Sequence, residues 1–460
     1  MLKTKDKSKS GRLVCLLVAV LLIPTGWVLK QRMEGEGPKV DLSLPSPFLG
    51  AAGELSGTFS DAGSGLRNVR VMLSSGGRTV LLMEKSFPLA GITRGGEVKH
   101  VPFRMPLAPK EKGFADGPAV LSISLHDWSW RGWLKGNRTE FEKKIVIDTT
   151  PPGLSVLSRT HNVNQGGSGL VVYRVSEAET ESGIQVDDNF FPGHSGHFRD
   201  DRIHLAFFAL GHAPEAGAEI FVMAKDRAGN ISRSGLPHHV RRKRFKEDTI
   251  GLSDKFLNWK LPEFDVAVGK SSVNPLLDKF LIINNRLRQA NTEKILAVGT
   301  RTAKDLYWKG SFLRLPRAAP RAGFADRRSY RYKGKIVDHQ FHLGVDLASV
   351  ANSPVPSANR GTVVMVDTIG IYGKTVVIDH GYGLMSLYSH LNNIDVKEGQ
   401  EVTRGQIIGR TGITGMVGGD HLHFGMIVHN RFVDPIEWWD ASWIKNNITS
   451  KIEGVKSLYP

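Results

Sequence analysis

Cysteine is almost absent from this sequence, and the other scarce residue types also narrow the possibilities. The single cysteine among 460 residues, Cys15, lies in an apolar N-terminal stretch, so no disulfide can form within the chain. A thiolate metal site is excluded for the same reason, and any bound metal must be held by His, Asp or Glu. Aromatic residues make up only 8% of the chain, whereas glycine is abundant with 50 residues. This balance favours short strands and turns over long helices.

Acidic residues are outnumbered by basic ones. The chain has 61 Lys and Arg against 45 Asp and Glu, which gives a formal net charge of +16. Such a charge attracts anionic partners, of which nucleic acid, a membrane surface and a cell-wall polymer are the main classes. The length exceeds that of one ordinary domain and indicates two to four domains.

A long uncharged run occurs at the N-terminus, where residues 13–29 carry no charge. The basic flank before this run contains Lys3, Lys5, Lys7, Lys9 and Arg12. A basic flank followed by an apolar core is typical of export signals and membrane anchors. No Ala-x-Ala pattern follows the core, and Trp27 and Lys30 are placed like interfacial anchors. We therefore expect residues 1–30 to be an uncleaved single-pass anchor, with a cleaved signal as the alternative. The bulk of the chain is then expected in the periplasm or outside the cell.

The segment from 51 to 240 has a strand-like pattern with a faint internal repeat. Apolar and polar residues alternate, as in residues 121–125, which is the period of a strand with one buried face. Asp148–Pro152 separates the two copies, and its paired prolines end a strand and stiffen a linker. The Ser-Gly-Ile and Asp-Arg-Ala-Gly-Asn phrases resemble those of bacterial immunoglobulin-like modules. The resemblance implies two immunoglobulin-like β-sandwich modules, at 51–150 and 151–240, that act as spacers or docking surfaces.

A short basic and helical linker is expected at 241–307. Asn274 is a good N-cap, Pro275 suits the first helical position, and the leucines that follow share one face with Phe280. The last residues, 441–460, are expected to form a peripheral C-terminal tail.

The character of the sequence changes between 308 and 440, where short apolar runs alternate with glycine turns and no helical period appears. This pattern predicts an antiparallel β domain, and the chain as a whole is predicted to be mainly β. The predicted strands of this domain are Gly361–Val366, Thr375–Ile378, Leu384–Tyr388, Gln406–Gly409 and His421–Val428.

Residues with metal-binding chemistry collect in this domain. His342 and Asp346 lie four residues apart with a glycine between them, while His421 and His423 lie two apart on a strand and so share one face. His390 follows another strand. A lone histidine is more often a hydrogen-bonded surface residue, but four histidines and an aspartate in one small domain indicate a metal site. Imidazole and carboxylate ligands suit zinc, which in catalytic sites has three protein ligands and activates a water. The surplus histidines are then available for proton transfer and for stabilising an oxyanion.

These residues resemble the lysostaphin and LytM-type zinc metallopeptidases of family M23. The matching phrases, in family order, are His342–Ala348, Tyr388–Leu391, Gly399–Val402, Gly405–Gly409, Thr411–Gly415, His421–Phe424 and Asp434–Pro435. They cover less than a third of the chain. The resemblance implies that His342, Asp346 and His423 hold one zinc ion. It also implies that His390 and His421 serve as base and transition-state stabiliser, in either order.

The resemblance implies a zinc-dependent endopeptidase that hydrolyses peptide cross-links of peptidoglycan during cell-wall remodelling, with the stem peptides as substrate. The alternative is a non-catalytic LytM-type scaffold that activates other cell-wall hydrolases, as in family members that have lost ligands. This chain keeps all five positions, and export argues against a nucleic-acid partner. We also expect a regulatory envelope protein, which would move the helix near Leu276–Leu287 and the preceding modules away from the substrate groove.

We also predict the environment of three further residues near these phrases. Asp420 stands where the family usually has a small residue or proline, and its charge is expected to orient His421 or to raise the pKa of that imidazole. His339 and His429 match no family position and are expected at the surface.

Overall fold

The computed structural model describes residues 8–44, 46–213, 218–269 and 271–459, and these are mainly β. They divide into two compact units. The first comprises the residues up to Pro152 together with Lys225–Ile231, and the second comprises Gly153–Ala224 together with the residues from Ser232 onward. Each unit has an apolar core of its own.

The N-terminal helix is α1 (Ser8–Arg32). Its segment Leu13–Arg32 contains an 18-residue stretch with a mean hydropathy of 2.3, none of which is buried. Among the described residues this is the one helix long and apolar enough to cross a membrane, by length and composition alone. Lys3, Lys5 and Lys7 of the predicted basic flank lie outside the described residues. An apolar helix in this position is common to membrane anchors and signal sequences.

The first unit consists of strands joined by short turns. Its strands are β1 (Lys39–Ser43), β2 (Phe48–Leu49), β3 (Gly53–Ser60), β4 (Leu66–Ser75), β5 (Arg78–Ser86), β6 (Leu89–Gly91), β7 (Gly95–Gly96), β8 (His100–Leu107), β9 (Gly117–Asp127) and β10 (Arg138–Ile147), with a short, mostly left-handed turn, α2 (Arg131–Leu134), before β10. A three-stranded sheet has the order β1-β3-β8 and a five-stranded sheet the order β2-β10-β9-β4-β5, while β6 pairs with β7.

The core of this unit follows the predicted period of two. Leu121, Ile123 and Leu125 of β9 are all buried. In β10 the flanking Ile145 and Ile147 are buried, whereas Val146 between them is 37% exposed. One face of each strand therefore supplies the core, as the alternation predicts.

The second unit begins with strands that form several small sheets. They are β11 (Leu154–Val156), β12 (His161–Asn164), β13 (Ser168–Val175), β14 (Glu181–Val186), β15 (Asn189–Pro192), β16 (Ile203–Ala209), β17 (Ile220–Lys225), β18 (Ile231–Gly235), β19 (His238–Arg241) and β20 (Glu247–Leu252). The sheets have the orders β11-β13-β16 and β15-β14-β17-β18, and β12 pairs with β19 in parallel.

Helices follow in the segment expected to be a linker. They are α3 (Asp254–Lys260), α4 (Pro275–Ile282) and α5 (Arg288–Leu296), with a 3-10 turn at Leu261–Glu263, a π-helical turn at Ile283–Leu287 and a 3-10 turn at Ala297–Arg301. The predicted start of α4 is confirmed, because the Asn274 side chain accepts a hydrogen bond from the backbone N–H of Leu277. Phe280 is buried while the leucines around it are half-buried.

The remaining strands are β21 (Ala319–Ala322), β22 (Arg327–Tyr332), β23 (Lys335–Phe341), β24 (Val345–Ala348), β25 (Pro354–Pro356), β26 (Gly361–Ile369), β27 (Gly373–Asp379), β28 (Leu384–Ile394), β29 (Glu401–Val402), β30 (Ile407–Thr411), β31 (Leu422–Val428) and β32 (Arg431–Val433). Most of them form a ten-stranded sheet around the path β21-β24-β31-β28-β27-β26-β29, and β22 lies between β20 and β23 in a separate sheet. All five strands predicted for this region are confirmed. They correspond to β26, β27, β28, β30 and β31.

The prediction of a peripheral C-terminal tail was wrong. Residues after the sheet form α6 (Pro435–Trp439), α7 (Ala441–Ile444), a π-helical turn (Lys445–Thr449) and α8 (Ser450–Leu458). Ile444, Ile448 and Val455 are buried in the core of the second unit. The apolar spacing of this segment is helical, and α8 packs against β13 instead of projecting into solvent.

One apolar core runs through the whole second unit. It includes Val172 and Phe207 of the small sheets, Phe280 and Ile283 of the helical segment, and Ile371 of the large-sheet region. The helices at 253–301 are therefore packed into the same core as the sheet that follows them.

Glu437 on α6 is a buried carboxylate in this core. It accepts hydrogen bonds from the Asn164 side chain at 2.7 Å and from the backbone N–H and hydroxyl of Ser168 at 2.9 and 3.2 Å. Burial raises the pKa of Glu437 from 4.5 to about 7, because removal from water disfavours the charged form more than these donors stabilise it.

This raised pKa predicts a stability that falls with pH. The folded chain binds this proton more tightly than the unfolded chain, so the contribution is complete below pH 4.5 and is lost as pH rises through about 7. The expected loss is at most about 3 kcal/mol. Urea unfolding of the second unit between pH 4.5 and 8 measures it, and Glu437→Gln should remove this part of the slope. An unchanged slope in Glu437→Gln would show that the carboxyl does not titrate in this range.

Candidate metal centre

Strand register brings two of the predicted site residues together. Asp346 on β24 is the cross-strand partner of His423 on β31, although the two lie 77 residues apart in sequence. Side chains of directly opposed residues project to the same face of a sheet. Leu422, one residue earlier, points the other way and is buried in the core. The alternation that fills the core therefore also places the His423 imidazole beside the Asp346 carboxylate.

His342 approaches from the turn before β24. Its backbone N–H donates to the Asp326 carbonyl, and its carbonyl accepts from the Ala325 N–H, so the turn is fixed on both sides. The Nδ1 atom lies 2.8 Å from the Gly323 carbonyl, which makes Nδ1 the protonated nitrogen. The Nε2 atom is then left with a lone pair directed at Asp346 and His423.

The ligand atoms of these three residues converge. His342 Nε2 lies 2.9 Å from Asp346 Oδ1 and 3.0 Å from His423 Nδ1, and the last two atoms are 2.9 Å apart. All three residues are buried. Tetrahedral zinc with bonds near 2.0 Å separates its ligand atoms by about 3.3 Å, so only small shifts are needed to share one ion. Two imidazoles and one carboxylate are also a donor set typical of a catalytic metal, and the site fits one.

His390 and His421 lie beside this triad in matching orientations. His390 Nδ1 donates to the Thr414 carbonyl at 2.9 Å, and His421 Nδ1 donates to the Gly419 carbonyl at 2.8 Å. Each imidazole therefore presents its Nε2 away from the backbone. Their ring centroids are 5.0 Å apart, and His421 Nε2 lies 3.5 Å from Asp346 Oδ1. All five predicted residues thus meet at one place.

His390 has a backbone φ of 62°, in the left-handed region that residues with a side chain seldom adopt. The residue follows Ser389, the cross-strand partner of His423. The left-handed turn directs the His390 ring across the end of the sheet toward the triad.

Electrostatics sets the protonation states of these groups. Burial alone raises the pKa of Asp346, but its interactions with the neighbouring imidazoles of His342, His421 and His423 hold that pKa well below its usual range. Burial lowers the pKa of His423 to about 4 and that of His390 well below its ordinary value. Burial also lowers the pKa of His421, but the Asp346 carboxylate outweighs it and the net shift is upward. An ionised Asp346 and a neutral His423 are the forms that bind metal.

The triad opens into a cavity of about 830 Å³, which falls within the range of small-ligand sites. One wall comes from the helical segment, including Phe280, Arg286 and Thr292, and another from β20 and β22. Arg321 on β21 also lines the cavity. The open side of the metal centre therefore faces a space large enough for a peptide segment.

Several groups that shape the centre carried no signal in the sequence. The carbonyls of Gly323 and Thr414 fix the imidazoles of His342 and His390, and backbone acceptors have no residue preference. The Tyr372 ring lies edge-on to His423 with 5.7 Å between centroids. Arg328 on β22 contacts Asp346, and only the arrangement of strands reveals that contact.

The expectation for Asp420 was wrong. Its carboxylate accepts hydrogen bonds from the Thr411 hydroxyl at 2.6 Å and from the Asn352 N–H at 3.1 Å. The groups that orient His421 are the Gly419 carbonyl and Asp346. Asp420 fixes the loop that leads into β31.

The two histidines expected at the surface differ. His339 is exposed, as expected, and pairs with the Ser329 hydroxyl at 3.0 Å. His429 is buried against His194, with parallel rings and 5.8 Å between centroids, so the expectation for His429 was wrong. His429 lies in the turn between β31 and β32 and is covered by Phe191 and His194, which are far away in sequence.

Comparison with known proteins agrees with the geometry. Residues 340–435, which include all five site residues, match the sequence model of peptidase family M23. The chain contains an M23 peptidase domain. This M23 domain is 40% identical over 116 residues to the peptidoglycan DD-endopeptidase ShyA of Vibrio cholerae, and 39% identical over 116 residues to ShyB of the same organism. Each match covers 25% of this chain and 26% of the relative. The chain therefore spans about a quarter of the length of these curated relatives.

Solved structures resemble the M23 domain as well. The catalytic domain of lysostaphin from Staphylococcus simulans is 26% identical, with 28% of this chain and 98% of that chain covered and a TM-score of 0.25.

Proposed function

We propose that this chain is a zinc-dependent endopeptidase that hydrolyses peptide cross-links of peptidoglycan. The observation that carries the proposal is the convergence of His342 Nε2, Asp346 Oδ1 and His423 Nδ1 within 3.0 Å of one another at the wall of an open cavity. Relatives of the M23 domain named as peptidoglycan DD-endopeptidases support the substrate class.

The five side chains divide into two roles in this proposal. His342, Asp346 and His423 hold one zinc ion, which when bound supplies Lewis acidity at the carbonyl under attack. His390 and His421 direct Nε2 toward the same space, since backbone carbonyls occupy both Nδ1 protons. One of them accepts the proton of the attacking water and the other donates a hydrogen bond to the developing oxyanion. The two orders remain alternatives.

The cavity suits an anionic peptide. Arg286 and Arg321 line it and are exposed, so their charges are free to meet carboxylates of a stem peptide. The largely buried rings of Phe280 and Tyr330 form part of the apolar wall behind these arginines. We infer that the bond cut is the D,D cross-link, as the names of the relatives indicate for those proteins.

The rest of the chain is proposed to place this centre at the cell wall. The segment Leu13–Arg32 would anchor it in the cytoplasmic membrane, single-pass, with the M23 domain in the periplasm or outside the cell. The strands at 51–150 and 151–240 would be immunoglobulin-like spacers. A regulatory envelope protein that acts on the helical wall of the cavity stays a prediction.

The full chain in detergent, incubated with cross-linked muropeptide dimers and one equivalent of zinc, should release monomers. Mass analysis of the products identifies the bond cut. A strong chelator should abolish the release, and zinc added back should restore it. A chain that binds zinc but leaves every dimer intact would contradict the proposal. A chain that binds no zinc and stimulates an amidase would establish the scaffold function instead.

A further inference from the structure

Arg328 reaches the candidate metal centre from outside the region that matches the family. Its Nη2 lies 2.9 Å from Asp346 Oδ2, while the other carboxylate oxygen, Oδ1, faces His342 and His423. The side chains of Arg328 and Asp346 are only 19% and 11% exposed. The M23 match begins at residue 340, so this contact belongs to the preceding strand β22.

The backbone around Arg328 is held on both sides. β22 is the central strand of its sheet, and Arg328 is paired with Asp248 of β20 and with Gln340 of β23. Alternation places Arg328 on the same strand face as Tyr330, which is buried. The neighbour Arg327 instead makes an exposed ion pair with Glu247. Arg328 is therefore directed into the protein by strand geometry.

A guanidinium at this distance constrains how the carboxylate binds a metal. The contact with Oδ2 is a charge-assisted hydrogen bond between partly desolvated groups, which is among the stronger polar contacts in proteins. It occupies one lone pair of Oδ2 and fixes the rotation of the carboxylate. Oδ1 is left as the oxygen that points at the two imidazoles.

We propose that Arg328 is a positioning residue, which holds Asp346 by Oδ2 so that the carboxylate offers one oxygen to the metal. This inference rests on the proposed function, because it requires that His342, Asp346 and His423 bind an ion. Partners of metal ligands orient those ligands, and their loss typically weakens metal binding roughly 10- to 100-fold.

Substrate binding and fold stabilisation are two other roles that Arg328 could have, and each predicts different measurements. An arginine that binds substrate changes the KM and leaves metal affinity unchanged. An arginine that only stabilises the fold changes the unfolding of the metal-free chain and leaves the ligand set of the bound metal unchanged. Metal affinity and coordination number therefore distinguish positioning from both.

The test measures metal binding by the full chain in detergent, by competition with a chromogenic chelator for Zn²⁺ and by visible absorption with Co²⁺. The variants are Arg328→Met and Arg328→Lys, and the control is Arg331→Gln, an exposed arginine on the same strand that does not line the cavity. We expect Arg328→Met to bind zinc roughly 10- to 100-fold more weakly. We also expect its Co²⁺ absorption to weaken, as a freed Oδ2 raises the coordination number. Arg331→Gln should match the parent.

Arg328→Lys keeps the charge without the planar fork and should fall between parent and Arg328→Met. If Arg328→Met does not fold, the zinc affinity and Co²⁺ absorption of Arg328→Lys provide the test instead. Parental zinc affinity and Co²⁺ absorption in the folded Arg328 variants would overturn the positioning role while leaving the proposed function intact. A parent chain that binds no metal would overturn both.

Discussion

His423→Ala should lower the rate of cross-link cleavage on the order of 10³-fold, which makes it one of the two largest effects expected for this chain. The substitution removes one of three ligand atoms that lie within 3.0 Å of one another. Two remaining ligands hold an ion weakly, and they no longer fix its position against the substrate carbonyl. Zinc content after dialysis and the initial rate on muropeptide dimers should fall together.

His339→Ala is the matched control for this substitution. His339 is also a histidine on a strand near the site, but its side chain is exposed and pairs with Ser329. It should retain the zinc and the rate of the parent. A His423→Ala chain that keeps both zinc and rate would show that the three residues do not form the metal site.

Gly344→Ala should produce the second large effect, about 100-fold in rate, through steric contact alone. A Cβ at this position would lie 2.6 Å from His423 Cε1 and Nε2, and 2.7 Å from the Phe424 carbonyl oxygen. His423 is buried between β24 and β28, so it has little room to move without shifting Nδ1 from Asp346. The same variant should bind zinc more weakly and yet remain folded, since the apolar core is untouched.

Gly454→Ala serves as its control, because a Cβ there meets no atom within 4 Å. On helix α8 that change should leave activity unchanged and slightly stabilise the chain. If Gly344→Ala binds zinc with the affinity of the parent, the added methyl group does not displace His423, and the steric explanation is wrong.

The local patterns of the sequence predicted the strands and pointed to the five residues that converge at the candidate metal centre. In β9 and β31 the alternation of side chains decides which residues share a face. This alternation does not depend on which strands pair with β9 or β31. His342 and Asp346 were found by their spacing, and His421 and His423 by sharing one strand face. Each of these patterns involves residues only a few positions apart, so the sequence alone reveals it.

The contacts that the sequence did not reveal join residues far apart in the chain. Arg328 meets Asp346 only after β22 is placed beside the large sheet, and His429 is buried where Phe191 and His194 pack against it. Asp420 was assigned to the adjacent His421, but its hydrogen bonds go to Thr411 and Asn352. Proximity in sequence is a poor guide where a loop folds back on strands from elsewhere.

The helical segment before the M23 domain has a consequence for transplanting the candidate metal centre into another protein. Asn291 on α5 accepts a hydrogen bond from the Ile371 N–H, and Thr292 lies 3.3 Å from the hydroxyl of Tyr372, whose ring borders His423. A graft limited to the family boundaries would leave these groups behind and uncover the apolar surface beneath Phe280. A portable piece would therefore need at least β20 and the helices at 253–301, together with the small sheets that share their apolar core, all well upstream of the first predicted ligand.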